Sequence, residues 1–241
     1  MIAKDFNSLI DIVKAFPTEE HCIAHLEQLR WNGVVVSPFD SSSKVYKCKG
    51  NRYRCKNTGK YFNVRTNTLF DNTKIELIKW FMAIWLVTSH KKGISSLQLG
   101  RDIDVTQKTA WFMLQRIRKC FGCENNSELN NEVEIDETYI GGKNKNRHAD
   151  KKVENDHLFV KHNKGEYVNG RIYTNTIEGF WSILKRGIVG IYHFTSRKHI
   201  QKYVDEFVFR YNTRNDTENQ RFNLFLQHTE HRLTYNELIH G

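Results

Sequence analysis

Proline is scarce: Pro17 and Pro38 are the only two in 241 residues, and no serine- and glycine-rich run separates one part of the chain from another. Domain limits therefore have to be read from changes in hydrophobic period rather than from linkers. Long apolar runs are missing too. The longest, Trp80 to Val87, is far too short to span a bilayer, and the first seventeen residues lack both the apolar run and the small-residue cleavage site of a secretory leader. Five cysteines (Cys22, Cys48, Cys55, Cys120 and Cys123) at irregular spacing do not make a disulfide framework. A reduced cytoplasmic setting is the expectation. Acid is short against base, with 27 Asp and Glu facing 37 Lys and Arg, for a net charge of +10. A basic chain is drawn to polyanions, of which the phosphate backbone of nucleic acid is the commonest. Hydrophobic residues at 39% are enough to build cores, and the length suits two or three modest domains.

What is present reads as an α+β chain. Residues 5–31 fit two short helices separated by Pro17. From Val34 to Val64 the period shortens, with strand-like runs at 34–36, 44–48, 52–55 and 61–64 between turn-forming residues. A β module of this size usually needs a metal staple. Only half a knuckle is offered, Cys55-Lys-Asn-Thr58, facing Ser37-Pro-Phe-Asp40. One thiolate does not complete a tetrahedral site, so zinc is not expected, and packing on the flanking helices should take its place. Residues 1–70 form this first region.

Residues 71–125 should be helical. Ile75, Ile78, Phe81, Met82 and Trp85 recur at helical spacing. A short helix follows, ending near Asp102, then a tight turn, then a helix capped by Thr106. In that helix Ala110, Met113, Leu114, Ile117 and Phe121 make an apolar stripe, leaving Gln107, Lys108, Gln115, Arg118 and Lys119 to the other faces. This is the layout of a helix-turn-helix with an amide-rich, basic recognition helix. An ordinary helical hairpin with a solvated charged face has the same pattern. Cys120-Phe-Gly-Cys123 has metal-like spacing but no second pair beside it.

Residues 130–241 form the third region. Between Asn131 and Gly142 polar and apolar residues alternate, which puts Glu134 and Asp136 on one face of a strand. Farther on, a helix over 176–186 would align Asn175, Glu178, Ser182 and Lys185 on one side, with Ile177, Phe180, Trp181 and Leu184 on the other. A further helix from Arg197 to about Asn212, packed across the sheet, would bring Arg197, Lys198, Lys202 and Arg210, with Arg186, toward phosphate.

Several blocks, in order, resemble the ISXO-like group of insertion-sequence DDE transposases: YRCKNTGKYFNV, KKGISSLQLGRDIDVTQKTAWFMLQRIR, EIDETYIGGK with KNKNRH, and YTNTIEGFWSILKRGIVGIYH. The resemblance runs from about residue 25 to about residue 214. It implies a zinc-ribbon remnant, a helix-turn-helix and an RNase H-like catalytic domain using Mg²⁺ or Mn²⁺ for DNA cleavage and strand transfer. It makes Asp136 the first metal ligand, gives the final position to Asn175 or Glu178, and sets Lys185 on DNA. The implied partner is DNA at transposon ends, with a homo-oligomer as a further expectation and no membrane. The implied location is the bacterial cytoplasm, on the nucleoid when DNA is bound.

One departure stands out. Asp136 and Asn175 lie 39 residues apart (175 minus 136). Three further strands and a helix, with the strand tip carrying a second aspartate, need on the order of fifty residues including turns. An internal deletion between about Lys152 and Asn155 is the expectation, and with it loss of catalysis. Asp150 and Asp156 do not replace the missing acid. A non-enzymatic helix-turn-helix DNA-binding protein is the alternative, and a metal-dependent nuclease a third reading.

Overall fold

The computed structural model describes residues 6–122, 168–169, 172–173, 175–193 and 195–240. The described residues are α+β, mostly helical with a three-stranded and a two-stranded antiparallel sheet. The chain divides into two compact units, residues 1–126 together with 196–241, and residues 127–195. The sequence reading made 130–241 one region; its last 46 residues instead belong with the N-terminal half.

The first unit is built round α3 (Leu77–Ser89). This segment has no charged residue after Lys79 and is buried on nearly every side from Trp80 to Thr88. An all-round apolar helix has to be a core helix. Packed against it are α1 (Leu9–Ala15), α2 (Glu19–Trp31), α5 (Gln107–Phe121) and α8 (Glu218–Gln227). Pro17 separates α1 from α2 as its missing N–H and fixed φ require. Phe222 of α8 is fully buried with its ring edge-on to Phe6, Phe81 and Trp85 at 6.0, 5.7 and 5.9 Å. The C-terminal helices thus complete the core of the N-terminal half.

The β module comprises β1 (Val45–Cys48), β2 (Arg52–Cys55) and β3 (Tyr61–Phe62), antiparallel in that order. The expected strand at 34–36 does not form. Asn32 and Gly33 take positive φ (44° and 89°), turning the chain out of α2, and Val34 is left 72% exposed with no pairing strand. The module rests on α2: Trp31 meets Tyr53 at 5.3 Å and Phe62 at 6.1 Å, and Arg30 donates to the carbonyls of Val64 and Thr66 at 2.9 and 3.1 Å.

At the knuckle positions, hydroxyls and one carboxylate accept backbone N–H groups two residues on. Ser37 accepts from Phe39 at 3.2 Å, Asp40 from Ser42 at 2.9 Å and Thr58 from Lys60 at 3.4 Å. Asn57 links the two turns, with its amide donating to Asp40 at 2.8 Å and its backbone N–H to Ser43 at 3.0 Å. Cys55 is fully buried among them. Burial pushes its thiol up, but hydrogen bonds from Ser43, Thr58 and Ser37 outweigh this and bring it down to about 6.

The helix α7 (Ile200–Asn212) packs on α5, not across a sheet. Aromatic contacts hold one end, with Phe209 at 4.7 Å from Phe121. Charges hold the middle. Arg118 of α5 donates to Glu206 at 2.5 Å, Arg210 pairs with the same carboxylate, and Arg118 lies 4.0 Å over the Tyr203 ring. Arg118 and Glu206 are 1% and 0% exposed at the side chain. Arg210 also caps the carbonyl of Val87, with both bonds at 3.1 Å, and Arg221 that of Thr88 at 3.1 Å. Two guanidiniums therefore meet the C-terminal end of α3, where the helix dipole favours positive charge. The last helix is α9 (Tyr235–His240).

Within the second unit, β4 (Val168–Asn169) and β5 (Ile172–Tyr173) pair antiparallel, and α6 (Asn175–Gly187) follows, running into a π-turn over Ile188–Tyr192. The strand expected around Asp136, and the expected deletion between 152 and 155, lie outside the described residues, so the RNase H-like sheet rests on the sequence alone.

Candidate nucleic-acid interface

Ser95 caps α4 (Ser96–Asp102), accepting the Gln98 N–H at 3.1 Å, and Thr106 caps α5, accepting the Thr109 N–H at 3.2 Å. Between them Asp104 takes a left-handed φ of 52° and the Val105 N–H bonds back to Gly100 at 2.9 Å. A Cβ on Gly100 would come to 2.9 Å from the Val105 carbonyl, so only glycine lets the two helices cross this closely. Leu99, Ile103, Ala110 and Leu114 fill the angle. This is helix-turn-helix geometry, closed by an amide of Gln107 donating to Ser96 at 2.9 Å.

The first turn of α5 faces solvent, and beyond it only Lys119 is exposed. Gln107 and Lys108 are exposed, Trp111 and Phe112 half-buried, and Met113 to Ile117 buried throughout. Lys108 lies 5.9 Å over the ring of Tyr235, on the segment that begins α9. The corner also exposes Gln98 and Arg101, with Asp102 engaged by Gln98 at 2.7 Å.

Two of the residues expected on an outer face are turned inward. Gln115 is 0% exposed and donates to the Tyr203 hydroxyl at 3.4 Å, and Arg118 is committed to Glu206. Arg210, expected near phosphate, is likewise inside. The reason is α7, which covers the flank of α5 that the apolar stripe leaves polar. Lys119 stays exposed. It belongs to a crowd of cations with Lys198 and Lys202. Burial first, then Lys119, Lys198 and Arg118, press the Lys202 ammonium below its ordinary range.

In the second unit, α6 separates its residues as the period demands. Phe180 and Leu184 are buried, Ser182, Lys185 and Arg186 exposed, and Glu178 half-buried. Arg186 donates to the Ser182 carbonyl at 3.2 Å. The side chain of Asn175 and all of Asp136 lie outside the described residues. Among the described residues no group of three or more His, Cys, Asp or Glu could hold a metal ion. The knuckle of the β module offers a single soft donor, Cys55, which does not fit zinc. Among the described residues no helix is long and apolar enough to cross a membrane.

The periodicity of α5 gave no sign of its buried polar flank. One signal was available, the Glu206 to Arg210 spacing of four on a helix whose neighbours are aromatic.

Residues 151–212, which include α6 and α7, match the family of ISXO2-like transposase domains. A protein described as an uncharacterized protein in transposable element ISH50, from Halobacterium salinarum, is 32% identical over 142 residues. That alignment covers 57% of this chain and 47% of the relative, so the chain spans about half the length of the curated protein it matches. No solved structure matches. The family match takes in Glu178, Lys185 and Arg186 and begins downstream of Asp136. These two similarities liken residues 151–212 to ISXO2-like transposase domains and about half of the chain to a transposable-element protein.

Proposed function

We propose that this chain is an insertion-sequence transposase by descent that binds duplex DNA through the α4–α5 corner and no longer performs strand transfer. The observation that carries the binding is the corner itself: two capped helices, a glycine-dependent crossing, and a first turn presenting Thr106, Gln107 and Lys108 to solvent. Gln107 is suited to an adenine edge and Lys108 to guanine or phosphate. Lys119, Lys198 and Lys202 supply a second cationic ridge for the backbone, and Lys185 and Arg186 a third on α6.

The loss of chemistry rests on spacing. A divalent ion, when bound, would supply Lewis-acid chemistry to phosphodiester cleavage and strand transfer. Asp136, with Asn175 or Glu178, would hold such an ion, and Lys185 would position the DNA strand. The 39-residue separation of Asp136 and Asn175 leaves too little chain for the strand tip that should carry the second aspartate. A purely regulatory helix-turn-helix protein confined to residues 1–120 is disfavoured, because residues 196–241 fold as part of the same unit.

The test is a purified full-length chain incubated with duplexes taken from the DNA flanking its gene, with Mg²⁺ or Mn²⁺ added. Salt-sensitive binding without nicked or joined products is expected. Cleavage or joining that Asp136→Ala abolishes would overturn the loss of chemistry. Binding that Gln107→Ala and Lys108→Ala leave untouched would overturn the role given to the corner.

A further inference from the structure

We infer that the outer face of the three-stranded sheet is a second DNA-binding surface, one that grips the phosphate backbone independently of the helix-turn-helix. The inference rests on the reading that DNA is the partner.

The pairing register defines this face. Tyr46 is opposite Arg54, which is opposite Tyr61 on the next strand, and Cys48 is opposite Arg52. Directly opposed residues share a side of a sheet, and alternate residues along a strand return to it. Lys44, Tyr46, Arg52, Arg54, Lys56 and Tyr61 therefore project together, and all six are exposed. The inner face, with Tyr53, Cys55 and Phe62, is buried. Four cations and two large rings share one side of the sheet, with no acid among them.

Among the described residues none of Lys44, Arg52, Arg54 and Lys56 has an ion-pair partner. The cations lean instead on the rings, Arg52 and Arg54 at 5.4 and 5.8 Å over Tyr61, and Lys44 at 5.6 Å over Tyr46. A cation over an aromatic face is held at small entropic cost, and a guanidinium so placed keeps N–H donors that can meet phosphate oxygens. Alternate strand residues are about 6.7 Å apart. That is close to twice the 3.4 Å rise at which each DNA strand carries a charge. A single basic residue on a strand is ordinary surface, but a whole face of like charge is costly unless a polyanion covers it.

The experiment is fluorescence anisotropy of the full-length chain on a 30-bp duplex over a range of salt concentrations. It compares the unaltered protein, the triple variant Arg52→Gln, Arg54→Gln, Lys56→Gln, and a control carrying Lys14→Gln and Lys74→Gln. Three lost phosphate contacts should make the slope of log affinity against log salt shallower by about 2 to 3, with affinity at low salt down at least about tenfold. The control should retain the original slope. In the unaltered protein, duplex should also protect Lys44 and Lys56, but not Lys14, from amine acetylation, a readout that stands even where the triple variant fails to fold. An unaltered chain that binds no duplex at all would overturn the proposed function and this surface with it. Binding by the unaltered chain with an unchanged slope in the folded triple variant would overturn the surface alone. So would a triple variant that keeps its DNA slope and loses affinity for anionic vesicles.

Discussion

Glu206 is the residue on which the first unit turns. Its carboxylate is fully buried between Arg118 and Arg210, one from α5 and one from its own helix. Burying charge is expensive, and such a group is stable only while its partners remain. Glu206→Gln leaves two guanidiniums facing a neutral amide, and a loss of about 3 to 5 kcal/mol in chemical unfolding is expected. A change under about 1 kcal/mol would mean that the arginines find water instead. Cys55 gives a residue-scale prediction of a different kind. Its thiol is held near 6, below the value of an unfolded cysteine, so its ionisation favours the folded state. That contribution is complete at pH values above the unfolded thiol's pKa and disappears as the pH falls through about 6. The ultraviolet thiolate absorbance of the native chain should show an inflection near pH 6 that Cys55→Ala removes. The stability difference between the two proteins should grow from pH 6 to pH 9.

At the scale of elements, α3 and the two helices of the corner were legible because their cause is local. An apolar run with no charge, a serine and a threonine at caps and a glycine at the crossing all act within a few residues. Gly100→Ala should therefore lower stability by about 1 to 3 kcal/mol through the clash with the Val105 carbonyl. It should also weaken DNA binding more than its stability loss explains, since the exposed first turn of α5 would be displaced. Equal binding at matched folded fraction would separate the crossing from the function. What could not be read was which way the polar flank of α5 points. Gln115 and Arg118 looked like surface residues on a helical wheel, but their partners Tyr203 and Glu206 lie 88 residues away in the chain. Val34 to Val36 looked like a strand, and two positive-φ residues ahead of it sent the segment away from any partner. Strand propensity acts only where an edge is offered.

On the scale of the whole molecule, the first unit is discontinuous, and its core needs both pieces. Phe222, Phe225 and Arg221 fill or cap the α3 neighbourhood from the C-terminal side. A fragment of residues 1–125 is expected to be unfolded, with little helical circular dichroism and no cooperative melt. A chain in which a short glycine–serine linker replaces residues 127–195 is expected to fold and to melt cooperatively. If the fragment alone melted cooperatively, the C-terminal helices would be accessory. The family resemblance was legible at this scale because it rests on block order. The candidate catalytic set was legible only as residue types on one helix, and Asp136 lies outside the described residues.

The Arg118–Glu206 pair has one more consequence. It joins the helix that precedes the interruption to the helix that follows it, and so fixes both ends of the intervening chain without regard to how long that chain is. Insertions and losses between them are invisible to the clasp. Selection on the fold of the first unit therefore acts on the two clasped helices and not on the number of residues between them.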